Sequence, residues 1–206
     1  IQTVKSAGNG AFRRREWEWP VAGPDLDRDR LREVRRLPLA RDASRLSPVF
    51  RTEVTRTRCL LTLAAGTKVE VAFDEGAVIA DGRSEPLSEL EIELKEGSEE
   101  VLLRLGLELV RAAPLALLSE SKAARGYHLA DGTRPAARKP PPIKLDPDRS
   151  LPEAFRALSD SVIDHLLSNQ PAALRGDEQE GIHQMRVAIR RMRSLLVLFE
   201  RLLEPH

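Results

Sequence analysis

The residues best suited to chemistry in this chain are charged, and they recur at two different spacings. Arg56 and Arg58 stand two apart in "RTEVTRTRCLLTL", with Leu60 and Thr62 at the same parity. In "KVEVAFD", Glu70, Ala72 and Asp74 alternate with Val69, Val71 and Phe73. In "SELEIELK", Glu89, Glu91, Glu93 and Lys95 alternate with Leu90, Ile92 and Leu94. In "FRRREWEW", Arg14, Glu16 and Glu18 share one parity, and Arg13, Arg15, Trp17 and Trp19 the other. Strand side chains two apart share a face, so each segment presents an ionic face. Grouped carboxylates bind divalent cations through oxygen. Arginine and lysine bind phosphate oxygens, arginine often bidentately. Carboxylates and cations together suit phosphoryl transfer, in which a metal and basic groups neutralise the reacting phosphates.

The second set has helical spacing. On a helix at about 100° per residue, His183, Arg186, Arg190 and Arg193 fall in one stripe. Met185, Ile189, Met192, Leu196, Phe199 and Leu203 lie on roughly the opposite side, where they are expected to pack against other helices. Like charges four apart repel by a few tenths of a kcal/mol per pair, which an anionic partner would relieve. No aromatic residue interleaves the stripe, so base stacking is poorly supported and nucleic acid is an unfavoured partner. A repeating polyanion matches it better, because only backbone-like charge is being met.

Each pattern also has a plainer reading. An antiparallel sheet commonly has one solvated face, whose charges pair across strands and do little else. Alternatively the sheet closes into a barrel with its charged faces inward and helices over the apolar outside. A charged lumen is costly unless it holds a counter-charged ligand. The helical stripe reads equally as a solvated basic face, and His183 alone as a hydrogen-bonded structural histidine.

The elements that must position these residues follow from the rest of the pattern. "IQTVK" and "AFRRREWEWPV" form a hairpin about the turn "SAGNG". "DLDRDRLREVRRL" (Asp25–Leu37) is a short polar helix. Val49–Leu63 is a long strand that turns at "AAGT" into "KVEVAFD"; the turn "EGAVIADGRSE" leads to the strand Leu87–Lys95. Ser98–Ala113 is an amphipathic helix with Ser98 as its cap and Glu99 and Glu100 in its first turn. "LLSESKAARGYHL" is a shorter mixed segment. The proline-rich stretch Ala130–Pro152 is an interdomain connection, and everything beyond it is helical, with Pro152 at a first helical position.

Composition narrows the classes. With 33 basic and 32 acidic residues among 206, the net charge is +1, so an anion site must come from local clustering. One cysteine, Cys59, excludes an internal disulfide framework and suits a reducing, cytoplasmic setting; a small buried filler is its expected role. No run approaches the roughly 20 apolar residues that span a bilayer, and no signal peptide is visible. A start at "IQTVK" and a stop after a long helix predict a fragment.

In order, "TVK", "REWEW", "RTEVTR", "VEVAFDEG", "ELEIELKEG" and "SKAARGY" resemble the CYTH, or triphosphate tunnel, family. The resemblance implies an α+β fold whose first part, residues 1–130, is an antiparallel tunnel barrel. It implies hydrolysis of inorganic triphosphate or related triphosphates with magnesium or manganese. Lys5, Arg56, Arg58 and Lys122 would contact phosphates. Glu91, Glu93, Asp74 and Glu70 would hold metal or orient a water, and Arg14, Glu16 and Glu18 would be further tunnel residues. The family's first strand, Glu-x-Glu-x-Lys, is absent before Ile1; Glu91-x-Glu93-x-Lys95 fits that pattern but stands where the later acidic strand belongs. A barrel that does not close is therefore expected, and weak or no activity for this chain alone.

"HQMRVAIRRMRSLLVLF", with its His-x-x-Arg-x-x-x-Arg-Arg spacing, resembles the opening of CHAD domains. That resemblance implies polyphosphate binding by His183, Arg186, Arg190, Arg191 and Arg193, from a helical part at 152–206 behind a linker at 131–151. It extends the expected location to polyphosphate granules. Two other functions fit the same residues: a non-catalytic polyphosphate-targeting module, and an adenylyl cyclase built on the same barrel.

Overall fold

A computed structural model of the chain describes residues 1–7, 14–23, 25–33, 43–176 and 178–203. Its contacts gather into two units, Val49–Pro135 and a second made of Ile1–Pro48 with Ala136–His206.

The N-terminal strands β1 (Gln2–Ala7) and β2 (Arg14–Trp19) pair antiparallel, with Lys5 opposite Glu16 and Thr3 opposite Glu18. The turn "SAGNG" that should join them lies outside the described residues from Gly8 onward. Helix α1 (Arg28–Glu33) starts three residues after the expected Asp25, and the last four residues of the expected Asp25–Leu37 lie outside the described residues. Asp27 Oδ1 caps it by accepting from the backbone N–H of Asp29 and Arg30 at 3.1 Å each. Val4 and Leu31 are buried together, with Trp17, Trp19 and Leu46 packed round them. That burial turns the face bearing Lys5, Glu16 and Glu18 the other way.

In the unit Val49–Pro135, strands β3 (Arg51–Thr62), β4 (Lys68–Ala80) and β5 (Arg83–Glu96) form an antiparallel meander in the order β3-β4-β5. The long turn expected at "EGAVIADGRSE" is not there. β4 runs on to Ala80, and only Asp81 (φ 49°) and Gly82 (φ 72°) turn the chain, as the commonest tight hairpins require. Gly76 does not interrupt the ladder, because it still pairs with Val54 on one side and Leu87 on the other. Pro86 is tolerated because β5 is an edge strand.

Helix α2 (Glu99–Ala112) starts at Ser98, whose hydroxyl accepts from the Glu100 N–H at 3.2 Å. It lies on the apolar face of β5, with Gly106 against Ile92. Cys59 was expected to be buried and is exposed. It stands on the apolar face of β3, the opposite edge of the sheet from the strand that α2 covers. Helix α3 (Lys122–Asp131) packs on the other, ionic face, capped by Ser121 and ended by Gly132. Among the described residues the strands make a two-stranded and a three-stranded sheet and close no barrel.

No regular element occurs between Asp131 and Leu151, as the proline content predicts. The stretch is nonetheless pinned. The Arg138 N–H donates to Asn169 Oδ1 at 2.8 Å, and the Arg138 carbonyl accepts from Asn169 Nδ2 at 3.0 Å. Beyond it, α4 (Leu151–Ser168) begins with a Ser150–Glu153 capping box and Pro152 in its first turn. Then come α5 (Gln170–Arg175), α6 (Glu178–Leu198) and α7 (Glu200–Leu203). The side of α6 that is buried is Gly181, Gln184 and Ala188. Ile189, Leu196 and Leu203, expected to pack, are largely exposed. Ile189 and Leu196 sit well round the helix from that buried line, and α4 and α5 reach only one side of it. Among the described residues no helix is long and apolar enough to cross a membrane.

Candidate phosphate and metal site

Three elements converge on one spot of the ionic face. β3 supplies Arg56, β4 supplies Asp74 and β5 supplies Glu89 and Glu91. The register sets Arg56 opposite Asp74 and Asp74 opposite Glu89, with Glu91 one step along beside Ala72. α3 then delivers Lys122 from above. The seat of α3 is fixed one turn later: a Cβ on Gly126 would come within 2.3 Å of the Phe50 ring, so the backbone approaches where only glycine fits. Phe50 also meets Tyr127 edge-on at 5.3 Å. Arg125 adds two hydrogen bonds to Glu85, at 2.9 and 2.6 Å, and one to the Pro86 carbonyl.

The result is a dense ionic network. Arg56 grips Asp74 with Nε and Nη2, each 2.7 Å from one carboxylate oxygen, and Nη2 also reaches Glu91 Oε2 at 2.7 Å. Lys122 Nζ contacts Asp74 at 2.9 Å and Glu91 at 2.8 Å, and donates to Glu89 as well. Asp74 has no solvent exposure, and the Lys122 side chain keeps 19%. A simple solvated face would not bury a carboxylate at its centre.

The electrostatics follow from those contacts. The paired hydrogen bonds from Arg56 hold the Asp74 carboxyl down to about 2, against the opposing effect of burial. The same bond raises the Arg56 guanidinium further above its ordinary value. Burial works against the charged form of Glu91, but Lys122 outweighs it and the carboxyl sits below its usual range. Burial likewise favours the neutral amine of Lys122, and its bonds to Glu89, Glu91 and Asp74 overcome that and keep it protonated above its usual range. Two cations among three carboxylates leave one net negative charge.

Asp74, Glu89 and Glu91 can each offer one oxygen within 4.8 Å of the others. An all-carboxylate donor set suits a hard divalent cation. Glu89 Oε2 is buried without a hydrogen-bond partner, an unmet acceptor within this set. The residues present therefore fit a hard divalent cation.

The other residues singled out in the sequence divide by element. Arg58 lies on the same face one step from Arg56, exposed, with no ion pair among the described residues. Glu70 and Glu93 are cross-strand neighbours farther along that face, engaged by Lys95 at 3.9 and 2.8 Å. They stand outside the Asp74 cluster. Lys5 pairs with Glu16 at 2.9 Å, and Glu18 accepts from Thr3, both in the β1–β2 hairpin. Arg14 is in β2, but its side chain lies outside the described residues. On α6, His183, Arg186, Arg190 and Arg193 are all exposed, as the stripe predicts, while Arg191 is half-buried with Nη1 lacking a partner. Glu89 is the residue that the sequence reading left out of the metal set. Its parity with Glu91 and Glu93 was visible, but only the position of α3 distinguishes the inner pair from the outer one.

The CYTH domain profile matches residues 1–127, and the CHAD domain profile matches residues 157–206. An inorganic triphosphatase of Haemophilus influenzae is 40% identical over 87 residues, which make up 42% of this chain and 24% of that protein. The match thus spans about a quarter of that relative's length.

Proposed function

This chain belongs to the CYTH family, with a CHAD domain following it, and from that premise we propose that its ionic sheet face binds an inorganic triphosphate or related phosphoanhydride for metal-dependent hydrolysis. The observation that carries the reading is the Asp74–Glu89–Glu91 cluster set beside Arg56, Arg58 and Lys122 on a single face. A divalent ion at those carboxylates would supply neutralisation of phosphate oxygens and polarisation of the phosphorus.

The chain's own residues account for the rest. Arg58 has its guanidinium free for phosphate oxygens, since no carboxylate among the described residues engages it. Arg56 and Lys122 are held in place by carboxylates, so they meet the substrate already oriented rather than as free-swinging cations. Glu89 Oε2, with no internal donor, is the acceptor available to orient a water. The helical part, through His183, Arg186, Arg190, Arg191 and Arg193, would hold a longer polyphosphate. Glu70 and Glu93 would contribute further contacts along the sheet.

The test separates binding from turnover. Calorimetric titration of the chain with tripolyphosphate, with magnesium or manganese and then with chelator, should show metal-dependent binding that Arg58→Ala weakens. Phosphate release measured alongside distinguishes hydrolysis from a targeting role, and cyclic AMP formed from ATP would identify a cyclase. Absence of tripolyphosphate binding in the presence of metal refutes the reading.

A further inference from the structure

The carboxylate cluster on the ionic face already has a cation seated in it. Arg56 engages Asp74 Oδ1 and Oδ2 and Glu91 Oε2. Lys122 Nζ engages Glu89 Oε1 and Glu91 Oε1 and shares Asp74 Oδ2 with Arg56. Among the carboxylate oxygens of Asp74, Glu89 and Glu91, that leaves Glu89 Oε2 alone without a partner. A hard divalent ion takes about six oxygen ligands, so a single carboxylate oxygen is a weak seat for one. A second oxygen of this set comes free when one of the two cations lets go.

The two cations are not equally replaceable. Arg56 holds Asp74 with two nitrogens of a planar fork, which fixes it in place. Lys122 is a single ammonium on a flexible stem, and its departure frees Glu89 Oε1 and Glu91 Oε1 together. Charge favours the same exchange. Three carboxylates against Arg56 and Lys122 carry one net negative charge, and adding a divalent ion to that set would overshoot neutrality. With the ammonium gone, a divalent ion and Arg56 together balance the three carboxylates. We infer that Lys122 is a tethered occupant of the metal seat, and that its ammonium must give place to a divalent ion and pass to the phosphate chain. This rests on the functional reading above. The backbone of α3 need not move, since Gly126 against Phe50 and Arg125 on Glu85 hold it. The displaced ammonium therefore stays over the same face, as does the exposed Arg58. Without a phosphate to receive it, the ammonium opposes entry of an ion alone. Ion and triphosphate then bind cooperatively, each raising the other's affinity by the same factor.

Calorimetric titration of the chain with magnesium chloride alone measures the exchange. Lys122→Met and Lys122→Gln both remove the ammonium, and each should bind magnesium at least about tenfold tighter than the parent, the worth of the charge-assisted bonds that no longer have to break. Lys95→Met removes the same charge from the same face but from Glu70 and Glu93, outside the cluster, and should change the affinity by less than about threefold. In the unaltered chain, the Lys122 ¹⁵Nζ resonance should be protected from solvent exchange without ions and should shift or vanish as magnesium saturates. That reading decides the matter even if a variant does not fold, which circular dichroism checks. Equal magnesium affinity of the parent and the folded Lys122 variants, a gain matched by Lys95→Met, or an unmoved Lys122 resonance at saturation overturns the inference and leaves the functional reading standing. Magnesium binding by none of the proteins removes the cation seat itself, and the functional reading falls with the inference.

Discussion

Replacing Lys122 by methionine keeps the length and apolar stem of the side chain and deletes the ammonium that three carboxylates share. Removing one partner of a fully buried ion pair costs about 3–5 kcal/mol, because a charge is left uncompensated. Here Asp74 has no exposure and keeps Arg56, while Glu91 is 48% exposed and recovers water, so the cost falls to about 2 kcal/mol. In a unit of this size that corresponds to a melting temperature roughly 8–16 °C lower at neutral pH. The loss should depend on pH. Without Lys122, Glu91 loses the main partner that holds its carboxyl below the usual range and keeps only Arg56, so its folded value moves back toward the ordinary one. The stability that Lys122 adds to the parent is fully present above the ordinary carboxylate range and is lost as pH falls through the parent's lowered values, so the variant and the parent converge on acidification. The loss should also depend on divalent cation. Magnesium or manganese can occupy the oxygens that the ammonium vacates, and at a hundredfold excess over its dissociation constant such a ligand restores about 2.7 kcal/mol. The assay is thermal unfolding followed by circular dichroism, with a matrix of pH values and magnesium concentrations for both proteins. A variant that melts like the parent at neutral pH refutes the packing argument. A variant that is destabilised yet indifferent to divalent ions refutes the carboxylate cluster as a cation seat.

Three further outcomes follow from single residues. Arg58→Ala should leave the melting temperature within about 1 °C, because Arg58 is exposed and forms no ion pair among the described residues, yet should weaken tripolyphosphate binding at least tenfold by titration. Gly126→Ala should destabilise the unit by about 1–3 kcal/mol, since the new methyl meets the rigid Phe50 ring at 2.3 Å, and should weaken tripolyphosphate binding by shifting Lys122. Acid titration of the parent should show the Asp74 contribution intact from neutral pH down to about 4 and lost only as pH falls through about 2, because its folded value is lowered; a loss already complete at pH 4 would contradict the Arg56–Asp74 pairing.

Alternation alone was enough to place Arg56, Arg58, Asp74 and Glu91 on one face, because the strand period leaves a side chain only two directions. It could not say which members of a row of like charges would meet. Glu89, Glu91 and Glu93 are equivalent by parity, and the choice among them depends on a helix more than twenty residues away. The cue for that helix was local but faint: Ser121 as a cap and a glycine one turn after Lys122, in a segment otherwise mixed in character. The tight hairpin at Asp81-Gly82 was also present as a dipeptide. It was obscured by Gly76, whose role is to keep its pairing with Val54 and Leu87 rather than to break the strand.

In the helical part the same limits apply in reverse. The stripe of His183, Arg186, Arg190 and Arg193 was legible because charge on one side of a helix is strongly constrained by period. The buried side was not, because it is made of Gly181, Gln184 and Ala188, small or polar residues that hydropathy does not mark. Their burial has a local cause. Gln184 reaches Glu180 and His165, and His165 and Asn169 together hold the carbonyl of Arg138. A proline-rich segment that composition alone would leave loose is thereby fastened through its backbone. Side-chain amides and an imidazole can do this where apolar contacts cannot, since each buried carbonyl and N–H needs a partner with a defined direction.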